Sequence, residues 1–268
     1  MNTQIAARLA RLAQGAALAL ALAGCATAPG GDPRDPWESY NRSMTKFNDA
    51  VDTAVLKPVA TAYKEAVPQP VRTGVRNFFG NLGDVWSFVN NVLQAKPEGA
   101  LHSFWRVVIN TTMGLGGVLD PATEMRLERH REDFGQTLGR WGVPSGPYFV
   151  LPLLGPSTLR DTVALPVDAY GNPLGHVNDI PVRNTLIGVN VIQTRAGLLT
   201  TTDLLEAAAL DKYSFQRDAY LQKRLSEVHD GNPPRDEERY DLDEDGAEAE
   251  AASAPVPAAS AAAAAGDQ

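Results

Sequence analysis

The sequence predicts an all-α fold followed by an acidic, disordered C-terminal tail, and three observations carry that expectation. Apolar residues recur at steps of three and four through several long segments. Gly/Pro-rich joints separate those segments, and no long strand pattern appears anywhere. Beyond Pro233-Pro234 the chain turns to charged and then Ala/Pro/Ser-rich sequence with almost no large apolar residue.

Residues 1–24 read as an export signal: Arg8 and Arg11 give a positive start, Ala16 to Ala23 an apolar stretch, and small residues lead to Cys25. The run is too short for a bilayer span, which needs about 20 apolar residues. Cys25 is the sole cysteine, so no internal disulfide is available to it, and lipid attachment is the reading that remains. Leu22-Ala23-Gly24-Cys25 resembles the bacterial lipobox, with Cys25 as the acylated N-terminus of the mature protein. Ala26 after the cysteine, rather than Asp, implies sorting to the outer membrane.

Residues 25–36 read as a flexible Gly/Pro/Asp-rich tether, and the domain is expected over 37–229. Met44, Phe47 and Val51 mark one helical face. Val71, Val75, Phe78, Phe79, Leu82, Val85, Trp86, Val89 and Leu93 mark a longer amphipathic helix, or a kinked pair broken near Gly80 to Gly83. Pro97 suits the first turn of the next helix, whose stripe is Leu101, Phe104, Trp105, Val108 and Ile109. Gly114, Gly116 and Gly117 end it. A glycine- and proline-rich stretch leads to the apolar run Tyr148 to Leu154, and helical spacing returns from Asn184 to about His229. The Phe78 to Trp86 face and the Tyr148 to Leu154 run are candidates for lipid contact or for ordinary core, since periodicity alone does not separate the two.

The net charge of −8 resides in the tail: 230–268 holds eleven acidic residues against two arginines. The remaining, nearly neutral domain has no basic patch, which argues against nucleic acid as a partner. The four histidines are scattered, so common zinc patterns are missing, and no phosphate loop is present. No cofactor is implied. Gly142-Val143-Pro144-Ser145-Gly146 misplaces the serine for a nucleophile elbow.

Several motifs together are distinctive. They are Asp35-Pro36-Trp37-Glu38-Ser39-Tyr40-Asn41-Arg42 leading to Phe47-Asn48, Asn77-Phe78-Phe79-Gly80-Asn81-Leu82, Phe134-Gly135-Gln136-Thr137-Leu138-Gly139, Gly146-Pro147-Tyr148, Leu159-Arg160-Asp161 and the stretch from Tyr213 to Arg224. In this order, behind a lipobox, they resemble the MlaA (VacJ) outer-membrane lipoproteins over about 35–224. That resemblance implies a ring of helices seated in the inner leaflet of the outer membrane around an amphipathic channel. It implies removal of mislocalised phospholipids from the outer leaflet, work beside trimeric porins, and delivery to a periplasmic lipid-binding carrier. Within that frame Phe47, Asn48, Gly114, Gly116, Gly117, Gly142, Gly146, Pro147 and Tyr148 are expected to line or hinge the passage. Arg160 and Asp161 are expected as a structural ion pair or polar wall. The alternatives are a lipid-hydrolysing enzyme using Ser145 or Ser157 with His130, or a structural porin-associated lipoprotein.

Overall fold

The computed structural model describes residues 32–234, apart from the side chains of 204–208. The signal segment, Cys25 and the acidic tail beyond 234 lie outside the described residues. Among those described the fold is helical, as the sequence predicts, with one small two-stranded sheet.

Helix α1 (Glu38–Val51) runs through a π-helical turn (Asp52–Leu56) into α2 (Lys57–Ala66). Pro68 then forces the preceding Val67 into an extended conformation and ends the rod. Helix α3 (Gln69–Leu93) is continuous, so Gly80 to Gly83 do not break it, and it packs against α4 (Pro97–Thr112), which Pro97 opens. The turn after α4 needs left-handed backbone at Gly116 and Gly117, and Gly117 also lies so close to Asn81 that a Cβ would collide with its side chain. Short helices α5 (Pro121–Glu124) and α6 (Phe134–Arg140) follow, capped by Asp120 and Asp133 accepting from Thr123 N and Gln136 N.

Strands β1 (Tyr148–Leu151) and β2 (Gly155–Thr158) form an antiparallel hairpin, Tyr148 opposite Thr158. The apolar Tyr148 to Leu154 run is therefore half strand and half turn, with Tyr148 and Val150 buried and Pro152, Leu153 and Leu154 exposed. Helix α7 (Leu159–Gly171) starts on the Thr158 cap and leads through a 3₁₀ turn (Pro173–His176) to α8 (Ile180–Ala208) and α9 (Lys212–Val228). The helical spacing read from Asn184 to about His229 thus belongs to two helices, with Asp211 capping α9 by accepting from Tyr213 N. No helix among the described residues is long and apolar enough to cross a membrane.

The expected tether is shorter than 25–36. Asp32 to Pro36 are packed: Asp35 is buried, accepting from Asn41 Nδ2 at 2.7 Å and from Tyr213 Oη, and Arg34 O accepts from Tyr148 N at 2.8 Å.

The interior is unusual in kind. Buried polar residues outnumber buried apolar ones among the described residues. On α3 the buried positions include Asn81, Asp84, Ser87, Asn90 and Asn91, and on α4 they include Ser103, Arg106 and Asn110. Much of the apolar stripe read from the sequence is turned outward: Val71, Val85, Leu93, Leu101, Phe104 and Trp105 are exposed, Trp105 to 49%, while Phe79 is buried and Phe78, Leu82 and Trp86 are half-buried. Conventional apolar clusters are small, one of Ala60, Ala196 and Leu199 between α2 and α8, the other of Tyr148, Val150 and Tyr213.

Candidate functional site

Buried charge holds the helices in place. Arg106, 1% exposed, donates through Nη2 to Asp120 at 2.8 and 2.9 Å, through Nε to Asp84 at 3.3 Å and through Nη1 to Leu127 O at 2.6 Å. Arg129 reaches Asp84 from the other side at 3.1 Å. Burial pushes the Asp84 carboxyl up in spite of both cations. Burial also acts on Asp120, but hydrogen bonds from Thr123, Asn110 and Arg106 outweigh it and hold that carboxyl below its ordinary range. In a second network Arg224 donates to Asp133 at 2.8 and 3.0 Å and to Asp161 at 2.9 and 3.0 Å. Desolvation of these two carboxyls is overcome by Arg224, which keeps both below the usual carboxylate range.

These networks frame a cleft between α3 and α8. A central cavity of 410 Å³ is lined by Arg76, Phe79, Asp84 and Trp86 of α3, Asn190, Gln193 and Thr194 of α8, and Arg131, Glu132, Asp133 and Asp168. A 200 Å³ cavity between α2, α3 and α8 shares Arg76 and Gln193 with it, and a 570 Å³ cavity beside Lys96 and His130 shares Arg131 and Glu132. All three are lined mostly by polar and charged residues, and neighbours share walls. Across Phe79 sits a 500 Å³ groove of opposite character, lined by Val71, Val75, Phe78, Val118, Leu186 and Val189. Trp86 is fixed in the central wall by donating Nε1 to Asp168 at 2.8 Å and by Gly171, whose missing Cβ leaves room for the indole ring. A site with one polar wall and one apolar lip can accommodate an amphiphile without placing either end in the wrong environment.

The residues singled out from the sequence lie elsewhere. Asn48 donates to Leu151 O at 2.9 Å and accepts from Leu153 N at 2.8 Å, clamping the hairpin to α1, while its neighbour Phe47 is exposed. Asn41 makes the same kind of clamp one segment earlier, donating to Tyr148 O at 3.1 Å and accepting from Val150 N at 2.9 Å. Gly114 sits tightly against Asn110 and Leu119 backbone in the turn with Gly116 and Gly117. Gly142 and Gly146 adopt φ of +89° and +66° in the loop before β1, and Pro147 O accepts from Leu159 N at 3.0 Å. Tyr148, expected at the passage, is 0% exposed in the aromatic cluster, so it anchors the hairpin and lines none of the four cavities. Arg160 and Asp161 do pair, at 3.1 Å, as a buried extension of the Arg224 network. Ser157 Oγ is engaged with Thr162 Oγ1 at 2.9 Å and His130 with His102 at 3.1 Å, so these two do not form a nucleophile and base.

Sequence reading missed Arg76, Arg131, Asp168, Asn190, Gln193 and Thr194. The signal was faint but present: Asn190, Gln193, Thr194 and Gly197 recur on one face of α8, and Arg76, Gly80, Gly83 and Ser87 on one face of α3.

Helices with exposed apolar flanks and a series of cavities lined by polar residues between them define an amphipathic helical scaffold. The sequence matches the MlaA lipoprotein family over residues 33–227, and the chain belongs to that family. It is 37% identical to an intermembrane phospholipid transport system lipoprotein MlaA of Haemophilus influenzae, covering 80% of this chain and 88% of that one. It is 39% identical to the protein of the same name in Escherichia coli, covering 81% and 86%. A solved structure from work on the structural basis for maintenance of bacterial outer membrane lipid asymmetry superposes with a TM-score of 0.65 at 36% identity, covering 72% of this chain and 98% of that one.

Proposed function

We propose that this chain is an outer-membrane lipoprotein, anchored through Cys25 on the periplasmic side of a Gram-negative envelope. It removes mislocalised phospholipids from the outer leaflet by way of the α3–α8 passage and hands them to a periplasmic lipid-binding carrier. The observation that carries this reading is the inverted partition of the fold, with charged and amide side chains enclosed and aromatic and branched ones turned outward. In water such a surface is unfavourable, whereas in a leaflet it is matched by acyl chains. The ring of helices and the work beside trimeric porins rest on family membership.

The passage need not perform chemistry. Exposing two acyl chains, roughly 30 methylenes, to water costs on the order of 20 kcal/mol at ~0.8 kcal/mol each. Moving a bare headgroup charge through hydrocarbon costs several kcal/mol more. Cavities that solvate the headgroup beside an apolar groove reduce both barriers, and lipid then runs downhill to the carrier. Gly116, Gly117, Gly142 and Gly146, all left-handed in turns of the surrounding scaffold, are the joints of this reading.

Deleting the gene and measuring surface-exposed phospholipid tests the reading. Outer-leaflet phospholipid should rise on deletion, return to normal with the intact chain and stay raised with a Cys25→Ala copy. No rise on deletion would refute it. Release of fatty acid from phospholipid by the purified protein would favour hydrolysis instead.

A further inference from the structure

The three polar cavities meet at two arginines, and both are uncommitted. Arg76 lines the 200 and 410 Å³ cavities and Arg131 the 410 and 570 Å³ ones. The interior arginines spend their guanidinium groups on carboxylates: Arg106 on Asp84 and Asp120, Arg195 on Asp52, Arg217 on Asp32 and Asp35, Arg224 on Asp133 and Asp161. Arg76 and Arg131 differ: each is exposed at a cavity mouth, and among the described residues neither makes an ion pair.

The acidic lining is mostly committed as well. Asp84 is held by Arg106 and Arg129, Glu132 by Lys96 at 3.1 Å and Gln94 at 2.8 Å, and Asp133 by Arg224. Asp168 differs. Its Oδ1 accepts from both Trp86 Nε1 and Phe134 N at 2.8 Å, and no cation stands in ion-pair contact with it. Burial pushes this carboxyl up, as it does those of Asp84 and Glu132. Of the charged groups around the central cavity, two cations and one anion therefore remain available. Across Phe79 lies the apolar groove.

We infer that the passage takes a zwitterionic phospholipid: its phosphodiester sits between Arg76 and Arg131, its primary ammonium on Asp168, and an acyl chain in the groove across Phe79. This rests on the transport reading above and adds its substrate class. A guanidinium fork matches phosphate oxygens, and a desolvated carboxylate gains most from an ammonium. A lipid with a phosphodiester but no ammonium satisfies the arginines and leaves Asp168 without a partner. A free phosphate fills neither Asp168 nor the groove.

The test uses the full-length lipoprotein in nanodiscs containing equal phosphatidylethanolamine and phosphatidylglycerol, each supplied in turn with a photo-crosslinking acyl chain. Crosslinking should favour phosphatidylethanolamine, and inorganic phosphate should not compete. Asp168→Asn, which keeps an acceptor for Trp86 and Phe134, should lower phosphatidylethanolamine capture about tenfold and leave phosphatidylglycerol unchanged. Arg76→Gln combined with Arg131→Gln should lower both about tenfold, with partial recovery in the Lys counterparts. Equal capture of the two lipids by the unaltered protein, or a preference that survives Asp168→Asn, would overturn the assignment. So would competition by inorganic phosphate as effective as that by lipid, which would mark a free-anion site. The first and last of these require no variant to fold. Equal capture together with a deletion that still raises surface phospholipid removes only the headgroup assignment. Selective capture with no effect of deletion removes the transport reading and leaves the site.

Discussion

The α3–α4 pair and the corner formed by α1, the β-hairpin and α9 are stabilised by opposite means. In the corner, Tyr148, Val150 and Tyr213 pack together, Arg42 lies 4.4 Å from the Tyr213 ring, and Asn41 and Asn48 satisfy the backbone of the hairpin. That is how a water-soluble domain is built. In the α3–α4 pair, the enclosed layer is mainly Asn, Ser, Asp and Arg, and Phe104 and Trp105 look outward. The difference teaches that what distinguishes the two regions is the enclosed layer, polar in one and aromatic in the other, since exposed apolar residues occur in both, Phe47 and Leu154 in the corner as well as Phe104 and Trp105 on α4.

The largest expected effect lies in the polar layer. Arg106→Met leaves Asp84 and Asp120 buried without their shared cation and should destabilise the domain by about 3–5 kcal/mol, read from denaturant unfolding in detergent. Arg224→Gln should cost somewhat less, because Asp133 is partly exposed, and its cost should depend on pH. Asp133 and Asp161 titrate below their unfolded values, so their contribution is fully present above the unfolded carboxylate pKa of about 3.9 and is lost as pH falls through the folded values. The gap between variant and parent should therefore be wide at neutral pH and close in acid. A gap independent of pH would show that Arg224 acts by packing.

In the corner, Asn41→Ala orphans the Val150 amide and the Tyr148 carbonyl and should cost about 2–3 kcal/mol, seen as a lower unfolding midpoint with earlier hydrogen exchange at Val150. The smallest effect on stability is expected at the outward stripe. Trp105→Gln should change unfolding in detergent by less than about 0.5 kcal/mol while weakening association of the protein with vesicles. Strong destabilisation there would erase the contrast between the two regions.

The contrast also explains what was legible in the sequence. Periodicity located α3 and α4 because repeating apolar residues mark a helix whichever solvent they face. It could not tell which side is enclosed, although Asn81, Asp84, Ser87 and Asn91 form an equally regular polar stripe. The hairpin was not legible: Tyr148 to Leu151 is four residues long, and its conformation depends on Asn41, 107 residues away in sequence from the Tyr148 carbonyl it holds. The motifs pointed to Asn48, Gly117 and the Arg160–Asp161 pair, which secure the scaffold. The cavity walls come from α3, α8 and two separate connections, and no local pattern joins Arg76 to Arg131 or Asp168.

The packing of Asp32 to Pro36 against α1 and α9 sets a leash length. With Cys25 as the acylated residue, seven residues separate the lipid from Asp32, and even fully drawn out they reach no more than about 25 Å. Asp35 is gripped by Asn41, Tyr213 and Arg217, so slack cannot be won by peeling away the start of the domain without breaking buried bonds. Under the proposed anchoring at Cys25, the cargo, and not its handler, makes the crossing of the periplasm.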